Sequence, residues 1–73
     1  MIEKYIKIVA YLAAHMDEYT EEEFNAATKE TLNNALDDAT MLSYEREWFC
    51  PYLAKQLRNL YSLYRFTKTN HIG

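Results

Sequence analysis

The only glycine in these 73 residues is the terminal Gly73, and the only proline is Pro51. All-β folds need repeated tight turns built from these two residue types, so their scarcity disfavours sheets and favours long uninterrupted helices. A single cysteine, Cys50, excludes an internal disulfide. The two histidines, His15 and His71, lie far apart without Cys-x-x-Cys or His-x-x-x-His companions, so no ligand set for a structural zinc exists and no metal is expected. A long apolar run is also lacking. Glu3, Lys4, Lys7 and His15 interrupt the N-terminal segment, which therefore reads as neither a membrane span nor a signal-peptide core and points to a cytoplasmic protein.

Enzymatic signatures are missing as well. There is no glycine-rich phosphate loop, no Gly-x-Ser-x-Gly elbow and no His-Glu-x-x-His pair. A chain this short also seldom encloses an active-site pocket, and the expectation is a non-enzymatic protein without a cofactor. One domain of this size buries only roughly 60% of the surface its unfolded chain exposes. With no disulfide or metal, helix packing or self-association must supply its stability. Cys50, set among apolar neighbours, is expected to serve as a small buried hydrophobe.

What is present is helical periodicity. From Ile2 to Met16, the residues Ile2, Tyr5, Ile6, Val9, Leu12, Ala13 and Met16 recur on one side of a helix. The strongest local signal follows. Thr20 with Glu23 three residues later forms a capping box, Tyr19 and Phe24 stand where a hydrophobic staple needs them, and Glu21, Glu22 and Glu23 place negative charge at the positive end of the helix dipole. A second helix therefore starts at Glu21. Its inner stripe is predicted to run through Phe24, Ala27 or Thr28, Thr31, Leu32, Ala35, Leu36 and Ala39, with a break near Thr40 to Ser43 and Ser43 as N-cap.

The last periodic stretch places Leu53, Leu57, Leu60 and Tyr64 on one stripe, flanked by Tyr61 and Leu63. Pro51 is best tolerated in a first helical turn, so the third helix either begins there or is joined through a kink to a preceding turn over Tyr44 to Cys50. The predicted fold is all-α: a small antiparallel three-helix bundle over residues 1–67, its last helix started or kinked at Pro51, followed by a polar tail over 68–73 that frays.

Charge is divided unevenly. Met1 to Glu47 hold eleven acids and four bases, a net of −7, whereas Trp48 to Gly73 hold Lys55, Arg58, Arg65 and Lys68 and no acid, a net of +4. One explanation is internal complementarity between a basic third helix and its acidic neighbours. Another is an interaction face. If Tyr44 to Phe66 is mostly helical, Trp48, Tyr52, Lys55, Asn59 and Phe66 fall opposite the Leu53 stripe, with Arg58 and Arg65 along the edge, and aromatics mixed with bases have the composition of a binding hot spot. Trp48 and Phe66 can equally fold back into a small core.

The acidic runs have the spacing of solvated helix faces rather than of a calcium loop. A second stripe on the first helix, Lys4, Ile8, Tyr11 and His15, carries two large apolar side chains that need cover, and packing against the third helix is favoured over self-association.

These residues point first to a protein-binding module, an adaptor or a small inhibitor of the kind a phage or mobile element encodes. Its contacts would be Trp48, Tyr52, Lys55, Arg58, Arg65 and Phe66. An inhibitor could instead present Glu21, Glu22, Asp37 and Asp38 to a basic groove in imitation of nucleic acid. A structural homo-oligomer, buried through the Tyr/Trp face or through Ile8 and Tyr11, is a second expectation. Single-stranded nucleic acid on the last helix is a third, disfavoured by the pI of 5.2.

Overall fold

The structure, a computed structural model, describes residues 2–70, with the side chains of residues 2–68. Three helices form, α1 over Ile2–Ala14, α2 over Glu21–Leu36 and α3 over Ser43–Asn70, with a single 3-10 turn at Met16–Glu18 and no strand among the described residues.

α1 stops short of the predicted Met16. The His15 amide is shared between the carbonyls of Tyr11 and Leu12, a three-centre bond characteristic of helix ends, and the chain then tightens into the 3-10 turn. α2 begins as predicted. The Glu23 amide donates to Thr20 Oγ1 at 3.1 Å, the Thr20 amide donates to Glu23 Oε1 at 2.9 Å, and the Tyr19 ring meets Phe24 edge-on at 5.8 Å. Two orphan amides and the angle of approach are thereby settled by residues adjacent in sequence.

The end of α2 departs from the expectation. The helix closes at Leu36, so Ala39 lies in the connection and Leu36 is half exposed. The cause is Asp38. Its carboxylate accepts the Thr40 amide at 2.9 Å and the Thr40 hydroxyl, an Asx turn that competes with helical continuation. Met41 then drops into the core. The Arg46 guanidinium holds the Asp38 carbonyl from the first turn of α3.

At the next helix start, Leu42 is the cap, not Ser43. The Leu42 carbonyl accepts the Arg46 amide, and the Leu42 amide donates to Glu45 Oε1 at 3.0 Å. Glu45 supplies half of a capping box without needing a hydroxyl at the cap. α3 then runs through Pro51 rather than beginning there. Proline removes one donor, to the Glu47 carbonyl, and both residues lie on the exposed side of the helix. Of the tail expected over 68–73, the first three residues continue α3, and residues 71–73, including His71, lie outside the described residues.

Contacts give the topology. Tyr5 at the start of α1 reaches Asn34 and Asp38 beyond the middle of α2, while Leu12 clusters with Phe24, so α1 and α2 are antiparallel. Tyr61 of α3 bonds Glu21, and Phe24 stacks on Tyr64 at 4.4 Å, so α2 and α3 are antiparallel too. The core has two parts. Tyr5, Ala35, Met41, Phe49, Leu53 and Leu57 fill one end, and Leu12, Phe24, Leu60 and Tyr64 the other. Cys50 is buried in the first. Ile6, Ala13 and Leu63, expected in or beside the core, are exposed instead, because two neighbouring helices cover a narrower sector of each helix than periodicity alone suggests.

Candidate partner-binding surface

The residues singled out on α3 all stand at the surface. Trp48, Tyr52 and Phe66 keep 53%, 48% and 63% of their area exposed, more than core residues of a small bundle retain. Lys55, Arg58 and Arg65 are exposed with them. The continuity of α3 is what assembles this face. A helix starting at Pro51 would have left Trp48 out of register with Tyr52 and Lys55, whereas one helix from Ser43 keeps them on the side away from Leu53 and Leu57.

Within that face the residues differ in setting. Trp48 rests edge-on against buried Phe49 at 5.6 Å, and Tyr52 tilts against the same ring at 6.1 Å. Tyr52 also lines a cavity of about 60 Å³ with Ile6, Val9 and Gln56 on the α1 side. Arg58 turns the other way and lines the seam between α2 and α3.

Phe49, which anchors both exposed aromatics, is fully buried and was not foreseen. Its signal was available: it lies four residues before Leu53, on the same helical stripe. Pro51, two residues after Phe49, interrupts that stripe in the sequence.

Charge pairing inside the molecule is sparse. Among the described residues, none of Lys29, Lys55, Arg58 and Arg65 has a carboxylate at ion-pairing distance. Internal complementarity between α3 and the acidic helices is therefore not realised through ion pairs. The link that does form across α2 and α3 is neutral to charged: the Tyr61 hydroxyl donates to Glu21 at 2.9 Å, and that bond, with burial, raises the Tyr61 hydroxyl above its ordinary range.

The four residues of the alternative acidic face are divided between the two ends of α2. Glu21 and Glu22 begin α2, and Asp37 and Asp38 follow its last residue, about 24 Å away along sixteen residues of helix. Asp38 is no outward-facing residue of α2 either. Its side chain is only 7% exposed and lies 3.3 Å from Lys4 Nζ. The Thr40 hydroxyl first, then the Tyr5 hydroxyl and the Thr40 amide, hold its carboxyl far below the usual carboxylate range, against the opposing effect of burial. Tyr5 is pushed up to about 12, mainly by burial and then by Asp38. This is a structural clamp between α1 and the α2–α3 connection.

The second stripe of α1 also differs from expectation. Ile8 and Tyr11 are exposed rather than packed on α3, because α3 meets α1 through Tyr5, Val9 and Leu12. Tyr11 stacks on His15 at 4.0 Å, and His15 Nδ1 lies 2.8 Å from the Tyr11 carbonyl.

No known family model, curated protein or solved structure matches this chain. No helix among the described residues is long and apolar enough to cross a membrane.

Proposed function

We propose that this chain is a non-catalytic protein-binding module, an adaptor or a small inhibitor, which meets its partner through the outer face of α3. The observation that carries this reading is the run of exposed aromatics, Trp48, Tyr52 and Phe66, beside cations that have no carboxylate at ion-pairing distance among the described residues. Exposed aromatic area beside uncompensated positive charge is the composition from which binding hot spots are built. Trp48 and Tyr52 are rigid anchors, since both lean on the fixed ring of Phe49, and little side-chain entropy is lost when a partner covers them. Lys55 and Arg65 pair with acids at the rim, and Arg58 borders the face on the side of α2.

Affinity capture from cells that express the protein, with and without nuclease, tests this with the wild type and a Trp48→Ala/Phe66→Ala variant side by side. A protein retained by the wild type, indifferent to nuclease and lost by the variant is the expected result. Equal retention by both sinks the reading, since both substitutions lie outside the core.

A second reading, self-association, draws on the exposure of Ile8 and Tyr11. Light scattering that gives a monomer mass at millimolar protein rules it out.

A further inference from the structure

A groove follows the seam between α2 and α3, on the side that no α1 residue lines. Two adjoining hollows of about 360 and 370 Å³ make it, joined at Leu32 and Ala54, which line both. From Asn25 to Leu36 it spans about 17 Å of α2, roughly three helical turns. Its floor is apolar, formed by Leu32, Leu57 and Ala54, with Leu36 and Pro51 exposed at one end. Its walls are basic. Lys29 of α2 and Arg58 of α3 both line one hollow, and Arg46 lines the next beside the single acid Glu47.

Three features define what fits there. An apolar floor between two antiparallel helices accepts the ridge of another helix. No strand exists among the described residues, so no sheet edge is offered to an extended peptide. Lys29 and Arg58 lack carboxylate partners among the described residues although the chain holds eleven acids, so the charge left over on the groove is positive.

A second copy of the chain is a poorer match. A basic, concave groove does not complement itself, and a groove-to-elsewhere contact closes into a ring only for particular rotations and otherwise runs on as an open filament. A polyphosphate strand is poorer still, because the floor is apolar and the chain is negative overall.

We propose that the α2/α3 groove receives one amphipathic helix of a protein partner, its leucine-like face on Leu32, Ala54 and Pro51 and its flanking acids on Lys29 and Arg58, so that three helices become four. This rests on the protein-binding reading and extends it from the outer face of α3 to the adjoining groove.

The test uses the full chain, ¹⁵N-labelled, titrated with a synthetic amphipathic helix of Leu on one face and Glu on the other, and with the same peptide carrying Lys for Glu. The Glu peptide is expected to shift the amides of Lys29, Leu32 and Ala54 and to bind at least about tenfold more tightly than the Lys peptide. Arg58→Glu and Lys29→Glu, both exposed and checked for folding by circular dichroism, weaken it about tenfold each. The same reversal at Lys7, on α1 outside the groove, leaves it unchanged.

Equal affinity for the two peptides, or no binding at millimolar peptide, overturns the proposal. Shifts confined to Trp48 and Tyr52 overturn the groove while leaving the outer face of α3 as a protein-binding surface. Groove shifts that appear on concentrating the protein alone assign the groove to a second copy, and groove shifts produced by oligothymidylate but not by the Glu peptide assign it to nucleic acid.

Discussion

At the scale of single residues, Asp38 and Phe49 do the most to define the structure. Asp38 ties Tyr5, Lys4 and Thr40 together, and its carboxyl titrates far lower than in an unfolded chain. A depressed folded-state pKa contributes stability that is complete above the unfolded value near about 4 and is lost as pH falls below it. Tyr5 acts at the other extreme. Its hydroxyl, raised to about 12, stays protonated in the folded chain while the unfolded one ionises above about pH 10, so stability declines there. Urea midpoints are expected to be flat between these limits and to fall on both sides. In Asp38→Asn the acid-side fall is shallower, and an unchanged acid limb would remove Asp38 from this role.

Phe49 touches Tyr5, Trp48 and Tyr52 with no exposed area. Phe49→Ala should cost about 3–5 kcal/mol, roughly half of the about 4–11 kcal/mol that a chain this short holds. The urea midpoint of the variant, read by circular dichroism at 25 °C, is expected to fall by about half. A loss under about 1 kcal/mol would mean that the ring is not packed as described.

Among the elements, α3 carries a local conflict. Proline inside a helix costs about 3 kcal/mol relative to alanine, and Pro51 sits nine residues into α3, so the helix persists only because Phe49, Leu53 and Leu57 anchor it on both sides. Pro51→Ala is expected to raise the unfolding free energy by up to about 3 kcal/mol, read from urea titration. A destabilised Pro51→Ala would show that the proline ring makes contacts that outweigh its backbone cost. α2 has the opposite character. Its start is written locally by Thr20, Glu23, Tyr19 and Phe24, whereas its end combines a local Asx turn at Asp38 and Thr40 with a distant tie of the same carboxylate to Tyr5 of α1. The start was legible in sequence for that reason, and of the end only the turn at Asp38 and Thr40 has a local signal.

The whole molecule is a rod of 46 × 17 × 17 Å. Its length is set by α3, whose 28 residues extend about 42 Å, against about 20 and 24 Å for α1 and α2. The shorter helices thus cover only part of α3, which leaves a wide face and a seam open to other molecules. Amide exchange is expected to follow the coverage, slowest from Phe49 to Leu60 and fast at Thr67 and Lys68. Uniform protection along α3 would mean that something else, such as a second copy, covers its end.

The sequence by itself determined the all-helical class, the start of α2 and the Leu53 to Tyr64 core stripe. Each depends on residues within one or two turns of each other, where periodicity and capping act. Only the tertiary structure decided that the Asp38 turn after α2 is tied to Tyr5, that α3 passes through Pro51, that Ile8 and Tyr11 stay exposed, and that Lys29 and Arg58 share a groove. Those outcomes follow from contacts between residues as far apart as Tyr5 and Asp38, or Lys29 and Arg58, whose pairing no local pattern encodes.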